Sequence, residues 1–153
     1  MANTYSKIYL HFVFAVQNRV SLIKPKWQVD LYKYMSGIIA QNGHKSYCIN
    51  GMPDHVHSLV SMNPKQSPSD LMHDVKRSSS LWINENKLVM GKFSWQEGFG
   101  VFSYSHSQIP TIANYIEQQQ KHHNKRSFIE EYRSLLELFE IDFDDRYIYK
   151  EIE

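Results

Sequence analysis

Residues 44–62 constrain the fold of this chain more than any other segment. His44–Asn50 and His55–Met62 read as two β-strands, and Gly51-Met52-Pro53-Asp54 between them reads as a tight turn, so the segment forms a hairpin. Successive side chains of a strand point to opposite faces, and residues two apart share one. The second strand opens His55-Val56-His57. Both imidazoles therefore project from the same face of one short, rigid element. Two such groups can grip a metal ion but do not complete its coordination. They also suit a plainer role as polar side chains on a half-buried strand, because His-x-His is a short and common pattern.

The remaining elements follow from periodicity. Ser6–Val16 is rich in β-branched and aromatic residues and reads as a buried strand. Pro25 opens a helix running to about Asn42, with Trp27, Leu31, Tyr34, Met35 and Ile38 at helical spacing and Gly43 as its stop. A second helix runs from about Ser69 through Leu71, Met72, Val75 and Trp82, ending before Gly91. Phe93–Ser105 reads as a fourth strand, interrupted at Glu97-Gly98-Phe99-Gly100. A third helix spans roughly Gln108 to His123, with Pro110 in its first turn. Ser127-Phe128-Ile129-Glu130 fits a capping box for a fourth helix ending near Phe139. The order βαββαβ predicts an α+β, ferredoxin-like (split βαβ) antiparallel sheet, with the crossover helices on one face and additional C-terminal helices. No repeat or linker divides the 153 residues, so one domain is expected, with a core at about 5–123 and an extension at about 124–153.

Bulk composition excludes more than it selects. Hydrophobic residues make up 42% and charged residues 22%, ordinary values for a globular protein. The formal net charge is only +1, so any nucleic-acid contact must come from a local patch. Aromatic residues reach 14%; most are expected in the core, Trp95 and Phe99 included, although either could stack a base. The single Cys48 excludes an internal disulfide and a cysteine-based zinc site, and reads as a core residue. No apolar run is long enough to cross a bilayer, and a cytoplasmic location without membrane contact is expected.

The third helix carries Tyr115 and Gln119, one turn apart and so on one side. An amide oxygen is a hard ligand, and two imidazoles plus that oxygen suit Mg²⁺ or Mn²⁺ better than structural zinc. A phenol, with a pKa of about 10, is a poor nucleophile at neutral pH. A Lewis-acidic ion that neutralises a phosphodiester oxygen lowers the barrier to its attack. From the residues alone, Tyr115 also reads as a core aromatic beside Ile112 and Ile116.

Three segments together resemble one family: Tyr9-Leu10-His11-Phe12-Val13-Phe14, Met52-Pro53-Asp54-His55-Val56-His57, and Tyr115-Ile116-Glu117-Gln118-Gln119. They resemble the IS200/IS605-type single-tyrosine (Y1) HUH transposases, which include the REP-associated tyrosine transposases, over roughly residues 5–123. The resemblance implies that His55 and His57 are metal ligands, Gln119 the third ligand, and Tyr115 the nucleophile. It implies cleavage and rejoining of single-stranded DNA near hairpins through a 5′-phosphotyrosine, leaving a 3′ hydroxyl. It also implies a homodimer, in which the tyrosine helix of one subunit can complete the site of the other.

Basic residues offer further contacts. Lys76 and Arg77, followed by three serines, could bind DNA phosphates or form a solvated helix face. Lys121, Lys125 and Arg126 form the densest basic cluster and could touch the backbone past the nucleophile, or simply complement a helix C-terminus. Asp54 is expected to fix the hairpin turn; it could also orient an imidazole. Two other functions stay open. One is a domesticated or inactive relative that only binds single-stranded nucleic acid. The other is a phosphoesterase using water, with no covalent intermediate.

Overall fold

The computed structural model describes residues 4–122 and 126–144. Four strands, β1 (Tyr9–Ala15), β2 (Lys45–Met52), β3 (His55–Ser61) and β4 (Gly100–Tyr104), form one antiparallel sheet in the order β2-β3-β1-β4. This is the strand order of the split βαβ arrangement. β1 lies between β3 and β4, pairing Val13 with His57 on one side and with Gly100 on the other. A central strand covered on both faces must be apolar almost throughout, and that is why β1 shows no clean alternation.

The two faces are packed by different helices. Phe12, Phe14, Val56 and Val60 meet α1 (Pro25–Gln41) and α2 (Pro68–Glu85). α1 contributes Trp27, Leu31, Met35 and Ile39, a strict four-residue stripe, and Gly43 takes the positive φ (+86°) that ends the helix cheaply. Ser67 caps α2 by accepting a 3.0 Å bond from the Asp70 amide. The opposite face carries Tyr9, His11, Val13, His55, His57 and Leu59. It is covered by α3 (Ile109–Glu117), α4 (Gln119–His122) and α5 (Phe128–Leu138). Phe128, Leu135 and Leu136 of α5 pack on Val13, Ala15 and Phe102. Each such side chain contributes roughly 1.5–3 kcal/mol of burial. Without these trailing helices the face bearing the histidines would be open to water.

α2 ends at Glu85, with Asn86 as its cap, before Gly91 as expected. Two other boundaries differ from the sequence reading. The expected strand 93–105 pairs only over Gly100–Tyr104. Upstream, the Asn84 side chain binds both the amide and the carbonyl of Phe93, and the Lys76 ammonium takes the Gln96 and Gly98 carbonyls. These side chains replace a neighbouring strand, leaving a single bridge between Val16 and Trp95. Phe93 and Trp95 are still core residues, as expected for aromatics here. The helix expected to run to His123 is broken at Gln118. The Asn50 side-chain amide donates to the carbonyls of Ile116 (3.0 Å) and Glu117 (3.1 Å), which would otherwise accept from the next turn.

Candidate active site

The hairpin delivers His55 and His57 to the covered face, both with zero exposure. The turn between β2 and β3 is tight because Gly51 has no side chain. A Cβ there would lie 2.2 Å from the His55 carbonyl oxygen. Each imidazole has its Nδ1 engaged, that of His55 by the Asp54 carboxylate at 2.7 Å and that of His57 by His11 Nε2 at 2.7 Å. Both Nε2 atoms are thereby aimed at a common point, the arrangement that orients imidazole ligands in metal sites. A neutral His57 turning its Nε2 lone pair to an ion keeps its proton on Nδ1, where His11 can accept it. Burial and the neighbouring His57 hold His11 well below the usual histidine range, so it is the neutral partner this requires.

Two further groups converge on the same point. Gln119, fully buried at the start of α4, places Oε1 3.2 Å from His55 Nε2. Glu131 of α5 places Oε1 2.9 Å from His57 Nε2 and 3.4 Å from His55 Nε2. Its other oxygen accepts from the Gln119 amide at 2.9 Å and from the Tyr115 hydroxyl. Ligands about 2.0–2.1 Å from an octahedral ion lie about 3 Å from one another. The donor set, two imidazoles, one amide oxygen and one carboxylate, thus has the spacing and chemistry to hold a divalent cation. The break at Gln118 does not separate Tyr115 from Gln119, because both reach Glu131. Gln120 steadies the junction by pairing with the Asn50 amide and the Gly51 carbonyl.

The electrostatics are those of a buried, charge-coupled site. Burial by itself would lower the pKa of His55, but hydrogen bonds to Asp54 and Glu131 outweigh it and push it up to about 9. Burial, then the Glu131 charge, raise Tyr115 far above the ordinary phenol value. Its ring stands edge-on to His57, with centroids 5.9 Å apart.

Residues 4–119 match the sequence pattern of the family described as "Transposase IS200 like". The chain belongs to the IS200-like transposase family. The ISDra2 transposase TnpA of Deinococcus radiodurans is 27% identical over 114 residues, covering 71% of this chain and 81% of that one. A solved Deinococcus radiodurans R1 protein assigned as a transposase superposes with a TM-score of 0.63 at 22% identity, over 78% of this chain and 95% of that one. The structure of a REP-associated tyrosine transposase bound to a REP hairpin gives 0.60 at 14% identity, covering 80% and 73%. DNA binding and recombination follow from the family. Among the described residues, no helix is long and apolar enough to cross a membrane.

Within this IS200-like domain, the structure brings His55, His57, Tyr115 and Gln119 together in one chain. The basic candidates are more scattered. Lys76 is turned inward onto Gln96 and Gly98, and burial lowers its ammonium to about 8. Arg77, Lys121 and Arg126 are exposed, while Lys125 lies outside the described residues. Sequence reasoning missed Glu131 as a site residue. Its signal was an acid between Phe128 and Leu135 on the buried stripe of α5. His11 left a similar trace, a lone polar residue inside an otherwise apolar β1.

Proposed function

We propose that this transposase cleaves and rejoins single-stranded DNA near hairpins through a covalent bond between Tyr115 and a 5′ phosphate. The observation that carries the reading is the convergence, within one chain, of the Tyr115 hydroxyl with two aligned His Nε2 atoms and the Gln119 oxygen. His55, His57 and Gln119 would hold Mg²⁺ or Mn²⁺, hard enough for the amide oxygen and able to keep open positions for phosphate. When bound, the ion supplies Lewis-acid neutralisation of a phosphodiester oxygen. The chain's own groups do the rest. Asp54 and His11 orient the two imidazoles, and the Asn50–Gln120 pair fixes the junction between Tyr115 and Gln119. The Tyr115 oxygen forms the new bond to phosphorus while the bond to the 3′ oxygen breaks, releasing a 3′ hydroxyl. Reversal by a 3′ hydroxyl rejoins the strand without an external energy source.

A cavity of about 470 Å³ is lined by Phe99, Phe102, Phe128 and Tyr132 among others. Phe128 also packs on His55, with ring centroids 4.5 Å apart. An aromatic-lined space that meets the site through Phe128 suits an unstacked base of a single strand. The likeness to a transposase bound to a REP hairpin supports hairpin DNA as the partner. Homodimerisation belongs to the proposal as well; the intrachain distances favour sites each built within one subunit. The direct test is incubation with labelled single-stranded hairpin DNA and Mn²⁺, followed by denaturing electrophoresis. A denaturation-resistant adduct is expected from the wild type and not from Tyr115→Phe. An adduct retained by that variant refutes the assignment.

A further inference from the structure

We propose that Glu131 is the anionic ligand of the ion, and that α5 is a closure of the active site docked through the metal. This rests on the metal reading above and goes beyond it, because α5 lies outside residues 4–119, the part that matches the family. The first reason is charge. Two neutral imidazoles and an amide bring no negative charge to a dication whose three ligands have zero exposure. Burying an ion without a counter-charge is costly. Glu131, 2% exposed, places a carboxylate oxygen 2.9 and 3.4 Å from the two Nε2 atoms.

The second reason is the position of the residue on its helix. Glu131 shares the buried stripe of α5 with Phe128, Leu135 and Leu136. An apolar residue would pack there at less cost unless the carboxylate had work to do. The third reason is the division of labour between its oxygens. Oε1 faces the imidazoles, while Oε2 holds the Tyr115 hydroxyl and the Gln119 amide. One carboxylate thus ties the ion site to the nucleophile. With Glu131 included, four protein ligands leave two positions of an octahedral ion for phosphate and water.

Two measurements test this. Calorimetric titration with Mn²⁺ should show wild-type binding, weakened at least tenfold by Glu131→Gln and likewise by His57→Ala, with circular dichroism confirming folded variants. Wild-type affinity in Glu131→Gln alongside loss in His57→Ala overturns the Glu131 assignment and leaves the metal site standing. Wild-type protein that binds no Mn²⁺ overturns both. Should Glu131→Gln fail to fold, hydrogen exchange on the wild-type chain decides. Amides of Phe128–Leu138 should exchange up to about 100-fold more slowly at a Mn²⁺ concentration of 100 Kd. Unchanged exchange in α5 at saturating Mn²⁺ overturns metal docking.

Discussion

Proton and metal compete for His55, and the structure gives the size of that competition. The metal-free imidazole is buried between two acceptors, which push it up to about 9. An ion needs the neutral form. At pH 7, about 1% of His55 is neutral, so apparent affinity is weakened about 100-fold, or about 3 kcal/mol, relative to high pH. His11 is held neutral and adds nothing to this window. Log affinity for Mn²⁺ should therefore rise by about one per pH unit from pH 6.5 and level off near 9. Calorimetry in two buffers of different ionisation enthalpy should count about one proton released per ion at pH 7. Asp54→Asn removes one of the two anions, so its plateau should begin at lower pH. The same shift predicts a stability profile for the metal-free protein. Its folded pKa lies above the unfolded value of about 6.5, so the contribution is complete below pH 6.5 and is lost as pH rises through about 9. An affinity flat between pH 6.5 and 9, with no proton released, would mean that His55 carries no proton for the ion to displace.

Other outcomes follow from the same geometry. Gly51→Ala forces a Cβ into backbone atoms of His55 and Val56; it should cost about 3 kcal/mol or more by chemical denaturation and abolish Mn²⁺ binding in whatever remains folded. Arg77→Ala, Lys121→Ala and Arg126→Ala should each lower the salt slope of DNA binding by about one, measured by fluorescence anisotropy. Lys76→Met should leave that slope unchanged while lowering stability by about 1–3 kcal/mol, because its ammonium is spent on Gln96 and Gly98 carbonyls. Mixing His57→Ala with Tyr115→Phe subunits should not restore cleavage, since one chain brings both residues to one point. Restoration would place the tyrosine helix in the partner's site.

The sheet was legible because its determinants are local. Strand alternation placed His55 and His57 on one face; helical spacing suggested that Tyr115 and Gln119 meet, and they do, but through Glu131 and across the break at Gln118. The pieces that escaped are long-range. Nothing near residue 118 in the chain announces that Asn50, far upstream on β2, will take two helix carbonyls and break the helix. Residues 93–99 have strand composition, yet Asn84 and Lys76 satisfy their backbone first. Glu131 was hidden beside Glu130 of the expected capping box, because an acid in the first turn of a helix already has a sufficient local reason. Only tertiary packing turns it toward the histidines.

The proposed function turns on a covalent bond between Tyr115 and a DNA 5′ phosphate. Mass spectrometry of a nuclease-trimmed, protease-digested reaction with hairpin DNA and Mn²⁺ should find a nucleotide 5′-phosphate on the peptide containing Tyr115, and a released fragment whose 3′ hydroxyl a polymerase can extend. A nucleotide on any other residue, a 3′-phosphate linkage, or cleavage with no modified peptide would contradict it.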